Sequence, residues 1–346
     1  MNIVSNRKSV RHHAVGRFFL ITALALASLT GCQRKAPVKL YGEAQGTYYS
    51  VQYYDAQGRN LKAQVDSLLD AFDLSASLWV DSSLLRRINA GTTDSLDDIL
   101  LTLLTHSIEM QEYTRGAFDC RVGRLVQAWG FSFKQRSEPD SATLGDLLRA
   151  AHGDISAEGR RFYRQYPDTE LDFNAIAQGY ASDLVGQMLE GYGIHDYLVD
   201  IGGEVVAHGR KADGSHWRVG IERPAKDSLS SPTVETAIEL NDMSVVTSGS
   251  YRKYYERDGV RYSHTIDPTT GRPVQHTLLS VSVVERESWL ADAMATAYMV
   301  MGLDSALSFI ATHPGESGTE AVFFIYDNNG TLESHATQAF DKLTIQ

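Results

Sequence analysis

Cysteine is almost missing from this chain: 346 residues contain only Cys32 and Cys120. Cys32 falls in an amino-terminal leader, so the folded part holds one thiol and no internal disulfide, and its stability must come from its core. Cys120 lies between Asp119 and Arg121, where a thiol could react, but a buried small hydrophobe is the simpler reading. Excess positive charge is missing too. The formal net charge is −11, which argues against nucleic-acid binding. Internal repeats, low-complexity tracts and a second membrane span are all lacking. No Walker-type glycine loop occurs, and Gly202-Gly203 does not complete a dinucleotide fingerprint. Helices and hairpins do not alternate as βα units, which excludes a doubly wound sheet and leaves an α+β protein.

The first residues read as an address. Arg7, Lys8, Arg11 and Arg17 precede an apolar run from Phe18 to Ala27, with no acid among them. This is a charged segment and a hydrophobic segment too short to span a bilayer comfortably. It closes on Leu29-Thr30-Gly31-Cys32, which resembles a bacterial lipobox. The expected division is a lipoprotein signal peptide over 1–31, a lipidated tether over 32–38 with Cys32 acylated, and one catalytic domain over 39–346. Several acyl chains would hold the protein at a membrane, on the periplasmic side of a bacterial cell envelope. Losing the leader removes four basic residues and takes the charge to −15, 28 basic against 43 acidic. An anionic ligand therefore needs a local device: a metal, a helix amino terminus or a few placed cations.

Chemistry-bearing residues concentrate in Ser263-His264-Thr265-Ile266-Asp267-Pro268-Thr269-Thr270-Gly271-Arg272-Pro273. Asp-Pro and Gly-x-Pro break regular structure, so these groups are expected on a loop. Upstream is a hydroxyl-rich turn, Thr247-Ser248-Gly249-Ser250-Tyr251-Arg252. Downstream, residues 288–301 predict a helix with Asp292 and Thr296 four apart on one face. Elsewhere, alternation predicts strands over 47–53, 197–201, 217–221, 278–284 and 321–326 and a hairpin across Asp258-Gly259. Leu61, Val65, Leu69 and Phe72 predict a helical face. A helix is expected to start at Ser95 and Asp98, and another, capped by Asn174, to run to Gly191. Residues 116–126 read as strand or loop, and 135–145 as polar surface. Trp79 reads as core, with a stacking platform as the alternative.

Together these residues resemble the ApbE family, FAD:protein FMN transferases. The resemblance runs through Gly46-Thr47, Gly116-Ala117-Phe118-Asp119 with Trp129-Gly130-Phe131, the stretch from Asp172 to Gly179, and Gly202-Gly203-Glu204. It continues through Thr247-Ser248-Gly249, the His264–Pro273 stretch and Asp292-Ala293-Met294-Ala295-Thr296. It implies a T-fold-like α+β fold of mixed sheets and packed helices, with FAD between two intimate lobes. It implies magnesium-dependent transfer of the FMN half of FAD to a threonine hydroxyl of another protein, releasing AMP. Acceptors would be subunits of membrane redox pumps or similar exported flavoproteins. Residue by residue, it places Gln45, Trp79, Ala117, Phe118, Asp119, Asp172, Gln178 and Ile266 at FAD, which reverses the core reading of Trp79. It places Asp292, Thr296 and the Ala175 carbonyl at the metal. The family often has Met at the position of Gln45 and Lys or Glu at that of Gln178.

Imidazole titrates near neutrality, so His264 is the candidate general base. Asp267 could orient His264, assist the metal or act as base itself; Arg272 could meet phosphate or support the loop. Two alternatives stay open: an FAD pyrophosphatase giving FMN and AMP, and a flavin-binding lipoprotein without turnover.

Overall fold

The computed structural model describes residues 36–131, 138–224, 233–250, 254–257, 260–313 and 321–345, with backbone alone at 254–257 and 260–263. Met1–Ala36 and Pro37–Gln346 separate as two units, and every strand and helix described lies in the second. The leader and Cys32 lie outside the described residues, as do Tyr251, Arg252 and the Asp258-Gly259 turn.

The chain opens with a hairpin, β1 (Val38–Ala44) and β2 (Thr47–Tyr53). Its two-residue turn, Gln45-Gly46, has φ of 53° and 73°, the left-handed pair that matches the twist of a tight hairpin. The strand thus begins at Val38, where the tether was expected to end. Tyr49, Val51 and Tyr53 point into the core, as alternation predicts. Next come α1 (Lys62–Ala76), α2 (Leu84–Asn89), α3 (Asp98–Tyr113), α4 (Gly123–Ala128) and α5 (Ser141–Ala151). A small hairpin, β3 (Ile155–Glu158) and β4 (Arg161–Arg164), precedes α6 (Ala177–Gly191). Then follow β5 (Tyr197–Ile201), β6 (Glu204–His208), β7 (Trp217–Arg223), β8 (Thr233–Leu240), β9 (Met243–Gly249), β10 (Tyr254–Arg257) and β11 (Val260–Ser263). The chain closes with β12 (Ile266–Asp267), β13 (Arg272–Pro273), β14 (Leu278–Glu285), α7 (Ser288–Met301), α8 (Leu303–Thr312), β15 (Ala321–Asn328), β16 (Thr331–Ala336) and α9 (Gln338–Asp341).

Eight strands form one sheet in the order β1-β2-β5-β6-β9-β14-β15-β16. Its ladders are all antiparallel, so the expected mixed pairing is not found among the described strands. On one face α6 packs over β5 and β6, and α7 over β9 and β14. The β7–β8 hairpin and α9 cover part of the other face through Trp217, Ile221, Ile238, Leu240 and Phe340. Cover on both faces explains why residues 280–284 of β14 are buried without interruption. A third cluster, Leu125, Trp129, Leu144, Leu147, Ala151 and Ile266, joins α4 and α5 to the β12–β13 hairpin.

Several local expectations are corrected. Residues 116–126 form neither strand nor open loop: Asp119 accepts a hydrogen bond from the Arg121 amide and starts a 3-10 turn, Cys120–Val122, that leads into α4. Gly123 is needed there because a Cβ would lie 2.9 Å from the Glu170 carbonyl oxygen. The polar stretch to 145 hides the start of α5, capped by Asp140 and turning Leu144 and Leu147 inward. The cap of α3 is Asp97, which accepts from the Leu100 amide, while Ser95 bridges to Arg161. Thr247 to Gly249 belong to β9 rather than to a turn. The central loop contains a two-residue antiparallel ladder, Ile266 opposite Pro273 and Asp267 opposite Arg272. Helix α7 and its stop at Gly302, φ 75°, agree with the periodicity.

Helices α6 and α7 cross at Gly179, where a Cβ would stand 2.4 Å from the Ser288 carbonyl oxygen and 2.8 Å from Asp292 Cβ. Both are fixed atoms, so Gly179→Ala should destabilise the fold by about 1–3 kcal/mol through overpacking. Gly145, in the middle of α5, has open space around its Cα, so Gly145→Ala should stabilise by roughly 0.5–1 kcal/mol. Urea unfolding midpoints of the two variants check this; shifts of the same sign would refute the close crossing.

Candidate functional site

Helix α6 has no side-chain cap, and its first turn is irregular. Its amides at Ala177 and Tyr180 donate to the carbonyls of Phe173 and Ile176. The Gly179 amide does not turn back to Ala175. It donates to Asp292 Oδ2 on α7, at 3.0 Å. This amide belongs to the first turn of α6, where amides have no acceptor within the helix, and its bond across the gap holds a buried carboxylate; among the described residues no backbone amide donates to the Ala175 carbonyl. Asp292 is 5% exposed. Burial pushes its carboxyl up to about 7, and nearby Asp183 adds to the rise. One turn on, Thr296 Oγ1 lies 3.3 Å from Ser248 Oγ on β9. The hydroxyl-rich segment and the predicted helix are therefore joined at that pair.

A carboxylate, a hydroxyl and a spare carbonyl form a donor set of hard oxygens, the kind magnesium prefers. Among the described residues, no three His, Cys, Asp or Glu side chains gather as ligands. The protein would supply part of a coordination shell and leave the rest to water or phosphate oxygens. A cation there would offset the cost of burying Asp292, so the residues present fit the metal.

Beside this seam, three distant pieces of chain meet. The β5–β6 turn carries Gly202 (φ 65°), whose Cβ would lie 2.7 Å from Thr47 Cγ2 and 2.8 Å from Gln178 Nε2. The β1–β2 turn, the β5–β6 turn and the start of α6 thus share one end of the sheet. Gln45, in the first of these turns, has both side-chain amide atoms buried and without a hydrogen-bond partner; its backbone amide donates weakly to Asp73 Oδ2 at 3.4 Å. Orphaned buried amide atoms are costly, and a ligand with hydrogen-bonding edges would relieve the cost. Trp79 is 55% exposed, so the core reading fails and the indole is open to stack on a planar ring.

Other expected contacts are placed differently. Phe118 is buried in the main core, with its amide donating to Thr114 Oγ1, so its side chain is structural and only its backbone is on offer. Ala117 is half-buried beside it. Asp119 is taken by Arg121: the guanidinium donates to both carboxylate oxygens and to the Gly153 carbonyl. Asp172 Oδ1 accepts from the Asn174 amide, and its own amide donates to the Cys120 carbonyl. Burial raises the Asp172 carboxyl above its usual range. Asn174 is exposed and lies upstream of the α6 cap, Ile176, so it is not the cap. Cys120 is buried, and burial pushes its thiol up, which leaves it inert.

The hairpin of the central stretch is pinned from below. Trp129 Nε1 donates to the Gly271 carbonyl at 2.7 Å, and His152 Nε2 lies 3.0 Å from the Pro268 carbonyl. Ile266 is buried against α4 and α5, so its side chain anchors the loop. The Asp267 carboxylate is spent on its own turn, accepting from the Thr269 amide and Thr270 Oγ1; it organises the loop and is not poised as base or metal ligand. Arg272 pairs with Glu138 at 3.4 Å and supports the surface. His264, half-buried, stands two residues before β12.

Sequence reasoning missed Ser248 as the partner of Thr296, the closeness of Thr47 and Gln178 to Gly202, and Asp183. Asp183 Oδ1 and Oδ2 accept from the Ser288 and Trp289 amides, each at 2.9 Å. The signal was available: α7 has no acid in its first turn and no side-chain cap of its own. The space left by the missing side chain of Gly179 is taken by α7.

The ApbE family model matches residues 45–323. The FAD:protein FMN transferase of Vibrio cholerae is 34% identical over 94% of this chain and 98% of its own length. That of Haemophilus influenzae is 32% identical over 94% and 97%. Among solved structures, the apo flavinyl transferase ApbE of Pseudomonas stutzeri superposes with a TM-score of 0.79 at 33% identity, covering 89% of this chain and 96% of that one. With a family match over most of its length and relatives above 30% identity along nearly all of theirs, this chain belongs to the ApbE family.

Proposed function

We propose that this protein moves the FMN half of FAD onto a threonine hydroxyl of another protein and releases AMP. The observation that carries the reading is the seam between α6 and α7, where Asp292, Thr296 and the Ala175 carbonyl present oxygen donors. These three would hold magnesium, which in that place would polarise the pyrophosphate and neutralise charge on the departing AMP.

The chain's own residues do the remaining work. The orphaned Gln45 amide and the Gln178 amide hold hydrogen-bonding edges of FAD, and exposed Trp79 stacks on its flavin or adenine ring. The acceptor hydroxyl attacks the FMN phosphorus. An O–P bond forms, the bond from that phosphorus to the bridging oxygen breaks, and AMP carries the bridging oxygen away. The hydroxyl proton passes to His264, which the pinned hairpin holds in place. Positioning and electrostatics supply most of the acceleration, as in other phosphoryl transfers. We place the enzyme at the bacterial cell envelope, facing the periplasm and anchored through acylated Cys32. Among the described residues, no helix is long and apolar enough to cross a membrane. The acceptor belongs to the class of exported or membrane-bound flavoproteins, redox-pump subunits among them.

Three outcomes are expected when the protein is incubated with FAD, magnesium and a candidate acceptor. First, intact-mass spectrometry finds FMN added to a threonine and chromatography finds matching AMP; equal AMP release without acceptor would make the enzyme a hydrolase, and bound FAD with no AMP a carrier. Second, Asp292→Asn lowers transfer by about two orders of magnitude or more, the scale of a lost metal contribution, and His264→Ala by roughly 10²–10⁴ with FAD binding retained, the usual scale of general-base loss. Transfer by either variant at the wild-type rate would remove that residue from the mechanism. Third, Trp79→Ala raises KM for FAD about threefold to tenfold, as loss of a stacking contact predicts, and leaves the unfolding midpoint unchanged because the indole is mostly in solvent. An unaltered KM would return Trp79 to the surface.

A further inference from the structure

Helices α6 and α7 meet as a ladder whose rungs repeat every four residues. Asp183 on α6 takes Ser288 and Trp289 on α7, and Gly179 takes Asp292. Moving back four on one helix means moving on four along the other, so the two run antiparallel at the crossing. One step further, the series reaches Ala175 and Thr296, two of the three oxygen donors assigned to the metal.

The first rung is built unusually. The leading amides of a helix are most often met by a side chain at its own N-cap. In α7 the N-cap residue, Glu287, makes no such bond. Its carboxylate accepts instead from the indole of Trp289, at 3.1 Å. The two leading amides are satisfied from the neighbouring helix by both oxygens of one carboxylate. Such a fork fixes the rotation of α7 about its axis as well as its distance from α6. The Asp183 side chain is itself largely buried, and burial outweighs its two amide donors and raises its carboxyl to about 7. Gly179 removes the Cβ that would hold the helices apart. The ring of Trp289, next to the fork, stacks on His106 of α3 at 3.7 Å, which gives the start of α7 a second hold.

We infer that Asp183 is a positioning residue for the transfer reaction: by gripping the start of α7 it sets the separation between the Ala175 carbonyl, just before α6, and Asp292 and Thr296 on α7. This rests on the metal reading proposed above. A rotation of α7 by a few degrees moves the Asp292 and Thr296 oxygens together while leaving Ala175 behind, and magnesium tolerates little departure from its preferred geometry. Partners that orient ligands in this way commonly tune metal affinity by about 10–100-fold.

The test is a magnesium titration of Asp183→Asn, read in two ways. One reading is the magnesium concentration at half-maximal transfer. The other is the half-point of the magnesium-induced rise in melting temperature, with FAD present and acceptor absent. Asn keeps one acceptor oxygen and turns an amino group on the second helix amide. Both half-points should rise by about tenfold or more, with kcat at saturating magnesium close to wild type and KM for FAD unchanged. Asp183→Glu keeps the charge but lengthens the arm. It should also raise both half-points, and it serves as the reading if Asp183→Asn does not fold. A folded variant with wild-type half-points overturns the inference, even if its melting temperature falls, because that is the signature of a purely structural cap. Asp292→Asn is the separate control: if it responds to magnesium as wild type does, the metal reading itself fails. If it is inert while Asp183→Asn titrates normally, only the positioning role is lost.

Discussion

The hydrogen bond from the Gly179 amide to Asp292 is the constraint from which the rest of the site follows. Gly179 lies in the first turn of α6, where an amide has no acceptor within the helix and needs a partner from outside it. Here it is spent across the gap between two helices, which is possible only because residue 179 has no side chain to keep the helices apart. The bond holds a carboxylate in a buried place. Such a carboxylate is unfavourable there unless a proton or a cation accompanies it. Fold and chemistry are therefore coupled: the same close crossing that packs α6 on α7 creates the demand for a positive charge.

Around this crossing the protein supplies rigid supports of different kinds. The eight-stranded sheet holds α6 and α7 through strands that are far apart in sequence. The turns at Gln45-Gly46 and Gly202-Gly203 stay at one end of the sheet because left-handed backbone angles let each strand reverse at once. The hairpin after His264 is supported from outside the sheet, by the Trp129 indole and the small core of α4 and α5. Sites built on such elements hold geometry better than sites on free loops.

Much of this was legible in the sequence, and the gaps have physical causes. Helix α7 was readable end to end because its apolar face repeats with helical period and Gly302 stops it. Asp292 and Thr296 followed from a spacing of four. The hairpin β3–β4 and strand β8 were not readable, since they are short or exposed and their pattern depends on neighbours. Residues 116–126 misled because glycine has two uses: glycines among alternating residues read as strand or loop, whereas Gly123 lets a helix start against the Glu170 backbone. Trp79 misled for a general reason, since aromatic residues are usually buried. Its exposure became meaningful only beside a family resemblance. Asp267 shows the limit of motif reading. A carboxylate next to a histidine suggests catalysis, but Asp followed by Pro also builds turns, and both oxygens are used in that way.

The assignment of Asp267 to the turn also fits the electrostatics of the proposed substrate. The whole protein carries excess negative charge, and a pyrophosphate adds more. A second carboxylate facing the phosphates would repel them and bind the metal too tightly to leave room for substrate oxygens. One buried carboxylate, two neutral oxygens and two glutamine amides avoid that problem. In the proposed site they would leave a cation incompletely balanced by the protein, and the phosphates would complete the balance. Gln178 contributes to the same end: an amide there holds a ligand by hydrogen bonds without adding charge of either sign. On this proposal, selection between a substrate bearing a pyrophosphate and a neutral flavin would come from the unmet charge at the helix crossing rather than from the general field of the molecule, which opposes anion binding.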